Sequence, residues 1–264
     1  MGMVKAEILA IGDELCYGRV YDTNSFWLAD QVTRLGVIVS RITCIRDDPD
    51  AICAVLTDAV RKHPRFVFMT GGLGPTDDDR TIEALAKFTG RRVVVDETVL
   101  QVIAKRRNVP ASQLQPRHVK MASTVEGAEC RPSPLGSAPL TIIRKDDVTL
   151  FTLPGPPNEV KACFTTYIAH DVQNTTHRHS LAKRLRVTMH ESQLAPIIRQ
   201  IVNAIPEVYI KPLISEYTAD DGMAIEVIVF GDDETTCHRT YRQVLHRFEE
   251  LVEQEGQRLI EIAS

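Results

Sequence analysis

Short apolar runs alternate with stretches of helical spacing along the amino-terminal part of the chain. Glu7 to Ile11 predicts a strand, Asp22-Thr23-Asn24 offers helix-capping side chains, and Phe26, Leu28, Ala29, Val32 and Leu35 follow at helical intervals before Gly36. Val37 to Ile45 is a second, β-branched run. Asp47-Asp48-Pro49 then opens a helix carrying Ile52, Val55, Leu56, Ala59 and Val60. Arg65 to Thr70 reads as a buried strand, and helical spacing resumes from Asp79 through Ile82, Leu85, Ala86 and Phe88. Strands that alternate with helices predict an α/β fold with a mostly parallel sheet. In such a sheet the crossovers are right-handed and ligands gather at the carboxyl ends of the strands. Gly12-Asp13-Glu14 and the loop from Gly71 to Asp79 both fall there, so one cleft would hold both.

The pattern then changes. A helical stretch from Glu97 to Arg107 leads into irregular sequence over Val109 to Ala122 and a Pro/Gly/Ser-rich segment from Arg131 to Pro139. Leu140 to Ile143 and Thr149 to Leu153 predict a strand pair across Lys145-Asp146-Asp147, followed by Pro154-Gly155-Pro156-Pro157 and a helix through Val160, Phe164 and Ile168. These elements assign residues 1–172 to a first domain. Past the polar stretch Gln173 to Ser180, residues 181–264 predict a small α+β domain: strand Leu185 to Met189, helix Glu191 to Ala204, strands Val208 to Lys211 and Met223 to Phe230, and a helix from Asp232. Small nucleic-acid-binding domains share that βαββα order. Here, however, no GXXG clamp and no basic residues interleaved with aromatics accompany it, which argues against a nucleic-acid partner.

Composition narrows the classes. Of 264 residues, 44% are hydrophobic, enough for a proper core, and the net charge of -4 with interspersed signs gives no polybasic face for nucleic acid or anionic membrane. No apolar run approaches the roughly 20 residues needed to span a bilayer, and the start carries no signal-like region, so a cytoplasmic location without membrane association is expected. Cys16, Cys44, Cys53, Cys130, Cys163 and Cys237 are scattered with neither a CxxC pair nor zinc-type spacing, which reads as buried, reduced thiols.

The chemistry concentrates in Gly71-Gly72-Leu73-Gly74-Pro75-Thr76-Asp77-Asp78-Asp79. Glycines in a strand-to-helix turn let backbone N–H groups approach an anion, and a helix amino terminus attracts one. Three carboxylates beside that cradle would repel bare phosphate. A divalent cation bridging carboxylate and phosphate oxygens removes the conflict, and oxygen ligands favour Mg²⁺ or Mn²⁺. The bland reading is a Gly-Gly turn with aspartates capping the helix. No Lys-Ser/Thr follows the glycines and the spacing is not GxGxxG, so a P-loop and a dinucleotide fingerprint are both excluded.

Ile11-Gly12-Asp13-Glu14-Leu15, Asp22-Thr23-Asn24, the GGLGPT-DDD loop, Pro132 to Pro139 and Leu153-Pro154-Gly155-Pro156-Pro157-Asn158-Glu159 occur in the order found in the amino-terminal domain of CinA. The chain thus resembles that family, part of the MoaB/Mog molybdopterin-binding-like superfamily, and lacks the deamidase domain that ends full-length CinA. The resemblance implies a three-layer α/β/α domain binding a nucleotide-like phosphate ligand, with self-association into a homo-oligomer. CinA-type relatives are associated with metal-dependent cleavage of pyrophosphates such as ADP-ribose or FAD, with Mg²⁺, Mn²⁺ or Co²⁺ as the cofactor. More distant MoaB/Mog relatives bind molybdopterin and handle its adenylylation. A nucleotide-binding module without catalysis is a third reading. Leu73 leans toward CinA, since the Mog branch usually has threonine there. Two departures stand out: Asp13 replaces a frequent threonine, adding a carboxylate, and Leu140 stands where a glycine commonly follows Ala-Pro.

Pyrophosphate hydrolysis needs neutralised oxygens, an in-line water and a stabilised leaving phosphate. Gly71, Gly72, Gly74 and Thr76 are expected to contact phosphate, and Asp78 and Asp79 to hold the metal. Asp13 and Glu14 are further candidates for a second ion or for water activation, against the alternative of a capped turn. Lys120, at a family lysine position, suits a phosphate as a point charge, and Ser137 brings a hydroxyl donor beside Gly136. Gly155, flanked by prolines, would give a preformed ligand wall, with Glu159 as a helix-start charge.

Overall fold

The computed structural model describes residues 4–218 and 222–261. They form two compact units, one running to Thr33 and again over Val37–Val172, the other taking in Arg34–Gly36 and the residues described from Gln173 onward.

The first unit begins β1 (Val4–Ile11), α1 (Asp13–Cys16), α2 (Thr23–Arg34), β2 (Val37–Ile45), α3 (Pro49–Arg61), β3 (Phe66–Thr70) and α4 (Thr81–Thr89). It continues through β4 (Val93–Val95), α5 (Glu97–Arg107), α6 (Pro116–Lys120), β5 (Ser123–Val125), β6 (Glu129–Arg131), β7 (Leu140–Lys145), β8 (Val148–Leu153), α7 (Pro157–Cys163), a π-helical turn over Phe164–Ile168 and α8 (Ala169–Thr176). The main sheet has the order β2-β1-β3-β8-β7-β6, while β4 and β5 pair separately. β1 runs parallel to β2 and β3, and β3 parallel to β8. The β7–β8 hairpin and β6 complete the sheet antiparallel.

Every residue of β3 and β8 is buried, because helices cover both faces. On one face Leu9, Val67, Met69 and Leu150 pack with Ile52 and Leu56 of α3 and Ala84 and Leu85 of α4. On the other, the Phe68 and Phe151 rings stack at 5.4 Å, Phe164 lies 6.5 Å from Phe68, and Trp27 of α2 meets Phe164 edge-on at 5.4 Å. The result is the three-layer α/β/α arrangement.

Local signals explain the helix starts. Asp48 accepts from the N–H groups of Asp50 and Ala51, with Pro49 opening α3, and Asp22 accepts from Ser25 N–H at 2.9 Å at the head of α2. Two expectations need correction. Ser25, Leu28 and Val32 form the buried stripe of α2, whereas Phe26 is 79% exposed. Likewise α4 starts at Thr81 with Arg80 at its cap, so Asp79 belongs to the preceding loop.

The second unit consists of β9 (His179–Val187), α9 (Glu191–Ala204), β10 (Val208–Thr218), β11 (Gly222–Gly231), α10 (Glu234–Gln254) and β12 (Leu259–Glu261), its sheet ordered β10-β11-β9-β12. Leu185, Val187, Ile225 and Val227 pack with Leu194, Ile201, Tyr241, Val244 and Phe248. The hydrophobic pattern understates this sheet. β9 begins before Leu185 and β10 runs past Lys211, because cross-strand pairing with β11 carries polar residues such as Lys183 and Arg184 along.

Candidate functional site

The loops that follow β1, β2, β3 and β8 meet at the carboxyl ends of those adjacent strands, around a cavity of about 280 Å³. Its walls include Gly12, Glu14, Asp22, Asn24, Asp47, Gly71, Gly72, Gly74, Asp78, Asp79 and Gly155. The loop glycines are required by space as well as by conformation. Gly71 has φ +98°, and a Cβ there would meet the Ile11 carbonyl oxygen at 2.0 Å. At Gly72, with φ +65°, a Cβ would meet Thr81 Oγ1 at 2.2 Å and Asp47 Oδ1 at 3.1 Å. The buried Thr81 fastens this turn, its hydroxyl donating to the Gly71 carbonyl at 2.9 Å and its N–H to that of Gly72 at 3.2 Å. That first N–H of α4 is therefore committed to the loop and is not free for an anion.

Asp79 folds beneath the glycine turn: a Cβ on Gly74 would meet its Oδ2 at 2.5 Å. The same oxygen accepts from the Thr76 N–H at 2.9 Å and from the Thr76 hydroxyl, while Lys120 Nζ donates to the Thr76 carbonyl. Thr76 thus spends its donors on shaping the loop, contrary to its expected place on phosphate, and it lies outside the cavity walls. Asp78 stays on the wall, exposed. Lys120 itself faces a second cavity of about 100 Å³ behind the loop, bordered by Gly72, Leu73, Gly74 and Asp79.

Asp13 and Glu14 separate in role. Arg46 grips Asp13 with two hydrogen bonds of 3.0 Å, and this guanidinium holds the Asp13 carboxyl low. Asp13 stands in an ion pair outside the cavity walls, so the carboxylate added at this position locks the two loops together. Glu14 does reach the wall, its carboxylate curled over Gly12.

Sequence reasoning passed over Asp47 as a helix-start residue. It is half-buried on the wall, and burial, reinforced by the charges of Asp13, Glu14 and Asp79, pushes its carboxyl up. The signal available was its position directly after the β2 run, at a strand's carboxyl end. Asn24 was likewise read as a capping residue; its Nδ2 donates to the Gly155 carbonyl at 2.7 Å and so joins the start of α2 to the loop after β8.

Ser137 is half-buried and lies outside the walls of both cavities. The serine that organises its segment is the buried Ser133, whose hydroxyl accepts from the N–H groups of Leu135 and Gly136. Arg106 ties the same segment down through the carbonyls of Ser133, Pro134 and Gly136. Glu159, in the first turn of α7, lies over Gly136 and is pushed up by burial. Leu140 is fully buried in β7, so its departure from the family pattern leaves the cavity untouched.

Among the described residues, no three His, Cys, Asp or Glu side chains converge to hold an ion by themselves. That donor set still fits a Mg²⁺-like cation, which is typically held through one or two carboxylates together with substrate phosphate and water. Asp78 and Asp79 on the wall, with the raised carboxyl of Asp47 beside them, are the carboxylates such an ion would meet. Of the cysteines, Cys163 and Cys237 are buried, with burial pushing Cys163 up to about 11, whereas Cys16 and Cys44 are exposed, against expectation.

Residues 7–174 match the family of probable molybdopterin binding domains. The chain belongs to that family. A protein of Metallosphaera sedula is 30% identical over 253 residues, covering 95% of each chain, and one of Thermococcus kodakarensis is 34% identical over 244 residues, 89% of this chain and 94% of that one. Among solved structures, the protein CinA from Thermoplasma acidophilum superposes with a TM-score of 0.61 at 30% identity, covering 64% of this chain and 98% of its own.

Proposed function

We propose that the first unit is a metal-dependent nucleotide pyrophosphatase acting on a dinucleotide-like substrate such as ADP-ribose or FAD. The observation that carries this reading is the sharing of one cavity by a glycine turn stripped of side chains and the carboxylates Glu14, Asp47, Asp78 and Asp79. The bare backbone of Gly71, Gly72 and Gly74 accommodates phosphate oxygens at close range. Asp78 and Asp79 are the carboxylates to hold Mg²⁺, Mn²⁺ or Co²⁺, which when bound supplies charge neutralisation on the phosphates. Water adds to one phosphorus, the P–O–P bond breaks with its electrons going to the departing phosphate, and the water's proton passes to a carboxylate. Glu14 suits that proton-accepting role better than Asp13, which Arg46 occupies. Gly155, against Gly71, and Asn24, bonded to it, continue the wall beside the glycine turn.

The second reading is molybdopterin binding with adenylyl transfer, favoured by the family match over residues 7–174. Purified protein incubated with ADP-ribose, FAD or NAD in the presence of each metal, then with chelator, separates the two. Metal-dependent release of AMP supports hydrolysis; tight binding without product moves the assignment to molybdopterin or to a binding module. Undiminished turnover after replacing both Asp78 and Asp79 by Asn would refute the metal assignment.

A further inference from the structure

The cavity has two chemically different kinds of wall. Beside the glycines and carboxylates stand Leu15, Val20 and Tyr21 from the segment after β1, and Pro156 and Pro157 from the loop after β8. Because β3 lies between β1 and β8, these apolar groups flank the glycine turn on both sides. Tyr21 is 92% exposed and yet belongs to the wall, which sets the residue at the rim with its ring in solvent. Its backbone is nevertheless held: Thr23 N–H donates to the Tyr21 carbonyl at 2.9 Å, and Asp22 and Asn24 anchor the residues beyond it. Tyr17, the other exposed tyrosine nearby, already has the Arg46 guanidinium over its ring at 5.1 Å.

At about 280 Å³ the cavity falls just below the range for ligand pockets, roughly 300–1,000 Å³. A dinucleotide-sized ligand anchored by phosphate at the glycines must extend past the rim. We infer that Tyr21 is a stacking platform for the planar heterocycle of that ligand, and so a specificity-determining residue for ring-bearing phosphates. This deepens the proposed function and rests on phosphate occupying the glycine turn. A fixed backbone beneath a bare ring supplies a π-face with little ordering cost, and stacking tolerates any base.

The test is calorimetric titration of wild type, Tyr21→Phe and Tyr21→Ala with ADP, GDP and inorganic pyrophosphate in Mg²⁺. The platform predicts that Tyr21→Ala weakens ADP and GDP alike by about ten-fold, leaves pyrophosphate within about two-fold, and that Tyr21→Phe retains both affinities. Equal losses for all three ligands, or none, overturn the platform while pyrophosphate binding to wild type keeps the phosphate site standing. If wild type binds none of them, the proposed function falls first and the platform with it. Light scattering on the same samples gives the remaining outcome: a drop in mass for Tyr21→Ala without selective loss of ADP would assign the ring to a contact between copies and overturn the proposal.

Discussion

Asp13 and Asp47 exchange hydrogen bonds across the carboxyl ends of β1 and β2: the Asp13 N–H donates to Asp47 Oδ2 at 2.9 Å, and the Asp47 N–H donates to Asp13 Oδ1 at 3.2 Å. Two carboxylates so close would repel, and the Arg46 pair on Asp13 offsets only one of them. Asp47 is left as the half-buried charge facing Gly72, which links the rigidity of the loops to the negative potential of the cavity.

Replacing Asp47 by Asn is therefore expected to stabilise the free protein at neutral pH. Burial raises the folded carboxyl above its ordinary value of 3.8, so the folded state binds this proton more tightly than the unfolded one. The resulting penalty is absent below the unfolded value, grows as pH rises toward the folded value, and is complete above it. Asp47→Asn should melt higher than wild type at pH 7, with the difference shrinking as pH is lowered through that window. Thermal melts at successive pH values check it, and a constant difference would refute the assignment to Asp47.

Substituting Ala for Gly71 should cost roughly 3 kcal/mol or more, because a left-handed backbone and a Cβ at 2.0 Å from the Ile11 carbonyl act together. Gly18 provides the comparison. Its φ is +67° but nothing lies within 4 Å, so Gly18→Ala carries the conformational cost alone, about 1–2 kcal/mol. Urea denaturation of the two variants measures the difference, which isolates the close approach of β1 to the phosphate turn.

Much of the first unit was legible because its strands are buried on both faces and read as unbroken apolar runs, as in Phe66–Thr70. The glycine turn was legible for a related reason, since Gly71 tolerates no side chain. What the chain order hides is competition between polar partners. Nothing in the spacing says that Arg46 captures Asp13, that Asp79 takes both donors of Thr76, or that Ser133 and not Ser137 orders its loop. Asp47 was hidden by its second role ahead of a helix, and β9 and β10 by the polar residues that sheet pairing carries along.

Asp78 and Asp79 are expected to diverge when each is changed to Ala. Asp79→Ala removes the acceptor of two exposed Thr76 donors, which water then serves, and should cost about 0.5–1.5 kcal/mol of stability as well as metal-dependent turnover. Asp78 is exposed, so Asp78→Ala should change stability by no more than about 0.5 kcal/mol while still lowering metal affinity. Denaturation curves paired with Mn²⁺ titration separate loop shaping from ion holding. Equal destabilisation by the two would contradict the hydrogen-bond assignment.

The Asn24–Gly155 bond makes the sharpest demand on side-chain chemistry, because Nδ2 donates and the carbonyl can only accept. Asn24→Ala removes the donor and should cost about 1 kcal/mol, with a fall in melting temperature of about 2–4 °C. Asn24→Asp keeps the shape but sets a carboxylate against the Gly155 carbonyl oxygen, so at pH 7 it should be less stable than the Ala variant. Protonation restores a donor. As pH falls through the carboxylate range, near 4 by reference values, the Asp variant should regain stability relative to Ala and pass it. Melts of both variants at pH 7 and at acid pH decide the matter: an Asp variant that stays below Ala throughout would mean that packing, and not this hydrogen bond, joins the start of α2 to the loop after β8.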